Sequence, residues 1–132
     1  MTRTDPTPTR AQLDGAARTF GLLATPNRLH LVWLLSTGEH DVTTLAERIG
    51  TSVPVASQHL AKLRAGGLVS ALRDGRRQFY RVDDPHILSV VAEVFSHIAP
   101  DGSIAPDPEP GEWSAAWRPA PAADLPAEGT KA

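Results

Sequence analysis

The sequence contains no cysteine, and its only methionine is Met1. This excludes disulfides, thiolate metal ligands, cysteine nucleophiles and thiol redox switches. Long apolar runs are also missing, since none approaches the ~20 residues that span a bilayer. The start of the chain is polar and contains prolines, unlike a signal segment. With 132 residues, of which 41% are hydrophobic, we expect a single cytoplasmic globular domain without membrane contact.

The net charge of −2 conceals an uneven distribution of charge along the chain. Residues 48–81 carry seven basic side chains and a single acidic one, Asp74. Residues 100–132 carry six acidic and two basic side chains, together with seven of the twelve prolines. The basic segment suggests a surface that faces an anionic partner, although many basic clusters are merely solvated faces.

Composition divides the chain into three parts. We predict a disordered lead at 1–10, a folded domain at 11–99 and a disordered, proline-rich acidic tail at 100–132. Trp113 and Trp117 in the tail are four residues apart, so a helix there would present both on one face. A docking motif and two unstructured tryptophans are both compatible with this spacing.

Helical periodicity and capping residues predict four helices in the first half of the domain. Apolar residues at helical spacing indicate a helix at about 11–24, and Thr25-Pro26 begins a second that ends before Gly38. Thr44 and Glu47 have the spacing of a capping box, so a short third helix is expected to begin at Thr43 or Thr44 and to end at Gly50. His30, in the second helix, is expected in the core or in an interface. Ser52 can cap a fourth helix at about 53–65.

From residue 68 onwards the spacing of apolar residues changes from the helical period of 3.6 residues to the strand period of two. Strands at 68–73 and 76–82 flank Asp74-Gly75, which predicts a two-residue hairpin. Asp84 and Pro85 begin a last helix that runs to about Ala99, with an apolar side suited to core and dimer contacts at Ile87, Val90, Val91, Val94 and Ile98. This order predicts a mainly α (α+β) winged helix-turn-helix with a two-stranded wing.

The fourth helix and the hairpin carry side chains suited to DNA. Short polar groups near a helix N-terminus can contact base edges in a major groove, and Gln58 can bond bidentately to adenine. Hydroxyls at the helix start suit a phosphate, and basic side chains at a hairpin tip suit a minor groove or backbone. The predicted DNA contacts are Thr51, Ser52, Val55, Ser57, Gln58, His59, Lys62, Arg73, Arg76 and Arg77.

The same region resembles a known family. The segments TLAERIG (44–50), SQHLAKLRAGGLV (57–69), DGR (74–76) and FYRV (79–82) are similar to the ArsR/SmtB family of bacterial repressors. The resemblance covers about residues 11–99. It implies a homodimer that binds double-stranded operator DNA and releases it when an inducer binds, usually a metal ion. It also implies that His59 serves DNA contact or packing rather than metal binding.

Two metal-site patterns of the family differ in how well this chain matches them. Asp41 and Thr43 stand at the thiolate positions of the cysteine-based sensors, so that site is absent. Asp84, His86 and His97 resemble the ligands of the branch that senses zinc, cobalt or nickel through its last helix. The family's fourth ligand position is Pro100 here, and Glu93 or Asp101 is a candidate replacement.

The spacing of these side chains favours a site between two chains. His86 and His97 are eleven residues apart, within ~20° of one helix face but roughly 16 Å apart along the axis. Two antiparallel copies would bring Asp84 and His86 of one helix against His97 of the other, giving two equivalent sites. Nitrogen and oxygen donors suit Zn²⁺, Ni²⁺ or Co²⁺. A vestigial site would retain the same residues.

Three functions therefore stay open. The first is a repressor released from DNA by a divalent metal. The second is a winged-helix regulator that does not respond to metal and is constitutive or controlled by a small molecule or partner protein. The third is a protein-interaction module that uses the tail. An enzyme is not expected, because the sequence shows no recognisable arrangement of catalytic residues.

Overall fold

The computed structural model describes residues 7–105, which form five helices and a small antiparallel sheet. Within this range no helix is long and apolar enough to cross a membrane. The elements in chain order are α1 (Arg10–Leu22), α2 (Pro26–Leu35), β1 (His40–Asp41), α3 (Val42–Ile49), α4 (Val53–Ala65), β2 (Ser70–Asp74), β3 (Arg77–Arg81) and α5 (Pro85–His97).

Local capping sets most of the helix ends. Thr9 closes a capping box with Gln12, so α1 begins at Arg10, within the segment expected to be a disordered lead. Ser52 caps α4 as predicted, by accepting a hydrogen bond from the Val55 amide at 3.3 Å. Gly50 ends α3 as predicted, with a φ of +73° that favours glycine.

The start of α3 differs from the prediction. The helix begins at Val42, and the cap is Asp41 rather than Thr43 or Thr44. The Asp41 carboxylate accepts a hydrogen bond from the Thr44 amide at 2.9 Å, which places Thr44 at the third helical position. Aspartate caps at least as well as threonine, and here Asp41 also lies in a strand that fixes it before the helix starts.

One apolar core holds α2 to α5 and the sheet together. Leu31, Leu45, Leu60 and Leu63 are fully buried, and Val91 contributes the core contact of α5. By contrast, α1 buries none of its residues and packs through Leu22 at its C-terminal end. His30 lies exposed on α2, so the expectation of a core histidine is wrong.

The wing is a three-stranded sheet in the order β1-β3-β2, rather than an isolated two-stranded hairpin. Asp74 pairs with Arg77, so the two loop residues are Gly75 and Arg76, not Asp74 and Gly75. Gly75 has a φ of +65°, which a tight hairpin requires at this position and which favours glycine. The added strand β1 is short and pairs Asp41 with Phe79.

The chain reverses direction after α5. The helix ends at His97 rather than near Ala99, since Ile98 is extended and forms a bridge with Ile104. The Ala105 amide donates to the His97 carbonyl at 2.8 Å, which brings the chain back beside the end of α5. Residues 100–105 thus form a turn instead of an extended start of the tail, and the remaining predicted tail, 106–132, lies outside the described residues.

Asp41 joins the sheet, the helix-turn-helix and the wing. Its carboxylate caps α3, and it accepts hydrogen bonds from Arg77 of β3, with the Nε atom at 3.0 Å and a second, shorter bond from Nη2. Hydrogen bonds from the Thr44 side chain, from Arg77 and from the Thr44 amide hold the pKa of Asp41 well below its ordinary value. The carboxylate is therefore ionised across the physiological pH range.

We expect Asp41→Ala to lower the free energy of unfolding at pH 7 by about 1–3 kcal/mol, because it removes both the helix cap and the partner of Arg77. Asp41→Asn keeps a capping oxygen and should cost less. Since the folded pKa lies below the unfolded one, the stabilisation is present above about pH 4 and is lost as the pH falls below it. Urea denaturation at fixed protein concentration, followed from pH 7 to pH 3, measures both effects.

Asp14→Ala is the matched control, because Asp14 forms an exposed ion pair with Arg10 at 3.3 Å. Such a pair contributes about 0–1 kcal/mol. If Asp41→Ala costs no more than Asp14→Ala, or if Asp41→Asn leaves the acid sensitivity unchanged, the stabilising role of Asp41 is refuted.

Candidate nucleic-acid interface and metal ligands

The exposed side of α4 presents the predicted base-contacting side chains as one stripe. Ala56, Leu60 and Leu63 face the core. Val55, Gln58, His59 and Lys62 follow one another at i, i+3, i+4 and i+7, which places them together on a neighbouring side of the helix, with His59 half-buried. Ser57 is half-buried and lies about 100° around the helix from Gln58. The stripe, rather than the whole N-terminal half of the helix, is thus the candidate DNA-reading surface.

The N-terminal end of α4 carries the two predicted phosphate contacts. Ser52 is exposed and its hydroxyl caps the helix, while Thr51 is half-buried. The first amides of a helix have no partner within the helix and attract anions. Ser52 supplies a partner for the Val55 amide, Pro54 has no N–H, and the Ala56 amide donates to the Ser52 carbonyl at 3.0 Å, so a phosphate would rely on the Val53 amide and on the hydroxyls of Thr51 and Ser52.

Arg28 of α2 orients the histidine of the stripe. Its Nε atom donates to the Leu22 carbonyl at 2.6 Å, and its Nη1 atom lies 3.5 Å from Nδ1 of His59. A guanidinium can only donate, so a hydrogen bond here requires Nδ1 of His59 to accept, which leaves Nε2 as the ring atom available to a base edge or a phosphate.

The three wing arginines are not equivalent. Arg73 and Arg76 are exposed near the tip of the hairpin. Arg77 is bound to Asp41, and its guanidinium lies 5.1 Å from the centre of the Phe79 ring. Its side chain is still 65% exposed, so a phosphate can approach it. Its position is nevertheless fixed by contacts within the domain, whereas Arg76 sits in the hairpin loop.

The candidate metal ligands lie exposed on α5, at two separate places. Asp84 and His86 stand at its N-terminal end, and Glu93 and His97 stand near its C-terminal end. The Asp84 Oδ1 atom accepts from the His86 amide at 2.8 Å and lies 3.0 Å from His86 Nδ1. These hydrogen bonds, the backbone one first, lower the pKa of Asp84.

This geometry fits half of a metal site at each end of α5. A carboxylate that binds one ring nitrogen of a histidine orients the other nitrogen towards a metal, so Asp84 is placed to position His86 as well as to act as a ligand. Within residues 7–105 of a single chain, no three such side chains lie close enough together to hold an ion. A complete site would therefore need a second chain.

Sequence reasoning missed the two residues that organise this surface. Asp41 precedes the hydroxyl-rich segment Val42-Thr43-Thr44. Aspartate is a preferred N-cap residue, so its identity was a usable signal for the start of the helix. Arg28 gave no signal, because its contact with His59 joins residues 31 positions apart.

Comparison with known proteins identifies the fold and the family. Residues 25–71 match the family model described as "Bacterial regulatory protein, arsR family". The chain is 34% identical over 94 residues to the HTH-type transcriptional repressor SmtB of Mycobacterium tuberculosis, covering 71% of this chain and 70% of SmtB. It is 42% identical over 74 residues to the transcriptional regulator KmtR of the same species, covering 56% of this chain but only 57% of KmtR.

A solved structure supports the same assignment. The homodimeric winged helix-turn-helix DNA-binding domain of a possible ArsR-family transcriptional regulator from Mycobacterium bovis is 36% identical, with a TM-score of 0.62. The similarity covers 70% of this chain and 88% of that domain. The chain therefore belongs to the ArsR family of bacterial regulatory proteins and is a winged helix-turn-helix transcriptional regulator, not an enzyme.

Proposed function

We propose that this protein is a homodimeric repressor that binds double-stranded operator DNA in the cytoplasm. The observation that carries the proposal is the arrangement of α4 and the wing: a largely polar stripe on α4 and two exposed arginines on the hairpin belong to one domain that the apolar core holds together, with Asp41 bonded to both α3 and β3. The stripe would enter a major groove while Arg73 and Arg76 contact the flanking backbone or minor groove.

Exposed apolar side chains support the dimer. Leu13 and Phe20 of α1 are 50% and 61% exposed, and Val90 and Val94 of α5 are also exposed. Leu13 and Phe20 are seven residues apart and share one face of α1. A face of this kind, on a helix that buries none of its own residues, suits a second copy of the chain.

We propose further that a divalent metal ion, Zn²⁺, Ni²⁺ or Co²⁺, lowers the affinity for DNA. His86, positioned by Asp84, would meet His97 and Glu93 of the second chain across antiparallel α5 helices. The bound ion would supply positive charge that links the two helices. It can reduce DNA binding only by favouring a dimer geometry different from the DNA-bound one. Exposure of all four side chains and the split of the ligands between the helix ends support this proposal.

Substitutions on α4 and the wing should separate base reading from phosphate binding. On duplex DNA selected by the full-length protein from a random pool, Gln58→Ala should cost about 1–3 kcal/mol of binding free energy and relax the preference at one position. Arg76→Ala should weaken binding to all sequences and reduce the slope of log K against log salt by about 1. Fluorescence anisotropy at several salt concentrations measures both quantities.

Arg10→Ala serves as the control, since it removes an exposed arginine from α1. It should leave both the affinity and the salt dependence unchanged. If Gln58→Ala lost as much binding free energy on unrelated duplexes as on the selected ones, base reading by α4 would be contradicted. No binding at low salt would favour a role in protein interaction instead.

Cobalt titration tests the metal proposal. Co²⁺ added to the metal-free protein should produce saturable visible absorption bands, and both His86→Ala and His97→Ala should abolish them, because each removes a ligand from every site of the dimer. Zn²⁺ should weaken DNA binding by about 5–150-fold in the unsubstituted protein, the range typical of allosteric coupling.

His30→Ala is the matched control, because His30 is an exposed histidine on α2 that is not among the candidate ligands. It should keep the cobalt spectrum and the zinc effect. If the unsubstituted protein gives no saturable spectrum and its DNA affinity ignores zinc, nickel and cobalt, the metal proposal fails. DNA binding would then stand alone, as in a constitutive regulator or one controlled by another ligand.

A further inference from the structure

We propose that the segment after residue 105, through Trp113 and Trp117, docks in an apolar groove between α2 and α5. The groove has a volume of about 530 Å³ and is lined by Pro26, Leu29, His30, Trp33 and Phe95. Trp33 and Phe95 are 44% and 42% exposed, so two aromatic rings line an open apolar surface. Neither the proposed DNA contacts nor the proposed metal ligands include any of these residues.

The groove is distinct from the proposed dimer face of α5. An α-helix turns by about 100° per residue, so the Phe95 side chain projects about 100° away from Val94 and about 140° away from Val90. The helix therefore presents two apolar surfaces, one on each side of the buried Val91. A second chain seated on Val90 and Val94 leaves the Phe95 side to another occupant.

The described part of the chain ends close to one wall of the groove. The turn after α5 returns Ala105 to the backbone of His97, two residues beyond Phe95. Trp113 lies eight residues further on, a distance that an extended chain covers with up to about 28 Å of reach. The whole of α2, which forms the other wall, is only about 15 Å long. The tryptophans of the same chain can thus reach the groove without unfolding any described element.

The chemistry of the two surfaces matches. An indole ring gains from apolar burial and from offset or edge-to-face contact with Trp33 and Phe95. Its N–H needs an acceptor when buried, and the ring of His30 is the polar group among the residues that line the groove. The spacing of four residues between Trp113 and Trp117 allows both rings to face the groove if the segment is helical there.

Disulfide trapping tests the proposal directly, since the full-length chain has no native cysteine. The test protein carries Ala92→Cys, an exposed position one helical turn before Phe95 on α5, and Ala115→Cys between the two tryptophans. The control carries Ala61→Cys, an exposed site on α4, with the same Ala115→Cys. Under mild oxidation we expect a disulfide within one chain in the test protein, formed much faster than in the control.

The other outcomes overturn the proposal. Equal rates in the two proteins would mean that the tail samples both surfaces without docking. Disulfides between chains in the test protein would mean that a second copy covers the groove. The proposal does not depend on DNA or metal binding, so it can fail while the proposed function holds.

Tryptophan fluorescence gives a second measurement without cysteines. In Trp33→Phe the emission comes from Trp113 and Trp117 alone, and it should be shifted to the blue and partly protected from acrylamide. Adding Phe95→Ala to this variant should shift the emission to the red and remove the protection from acrylamide. Adding Val90→Ala should change neither. Circular dichroism checks that each variant is folded. Emission typical of solvated tryptophan in Trp33→Phe itself would refute docking.

Discussion

The bond between Asp41 and Arg77 ties the wing to the start of the helix-turn-helix. The Asp41 carboxylate caps α3 and binds a guanidinium of β3, and Asp41 itself lies in the strand that pairs with β3. The base of the hairpin is already fixed, because Val69, Tyr80 and Val82 are buried in the common core. The ion pair adds an attachment at Arg77, nearer the hairpin tip, so β3 is joined to the rest of the domain at both of its ends.

The same bond explains why a family metal position has a different role in this chain. Asp41 stands at a position where cysteine-based members of the family would have a thiolate. Its negative charge is already balanced by Arg77, which, unlike a metal ion, is part of the chain. The position therefore stabilises the domain instead of responding to an ion. Under the metal proposal the response would come instead from α5, whose exposed donors stand at two separate places in one chain.

The sequence predicted the elements better than their junctions. Gly50, Ser52 and Pro85 mark ends of helices through local hydrogen bonding and backbone geometry, and all three act as expected. The cap of α3 was wrong although the bond from the Thr44 amide to Asp41 is local, and the hairpin loop was wrong because Asp74 joins β2 and pairs with Arg77. The bond between Asp41 and Arg77 and the contact of Arg28 with His59 were out of reach, because they join residues 36 and 31 positions apart.

The apolar surface that one chain leaves exposed also argues that further contacts cover the described domain. Fully burying a large apolar side chain is worth about 1.5–3 kcal/mol, and a typical domain is stable by only about 5–15 kcal/mol. Leu13 and Phe20 on α1, and Trp33 and Phe95 at the groove, are each about half exposed. Since each side chain is already about half buried, covering all four would add about 3–6 kcal/mol before the entropic cost of association, a substantial part of the stability of a typical domain. Trp33 lies on α2, which packs against α3, α4 and α5, so under the proposed docking the occupant of the groove would sit against the helix that supports the DNA-reading unit.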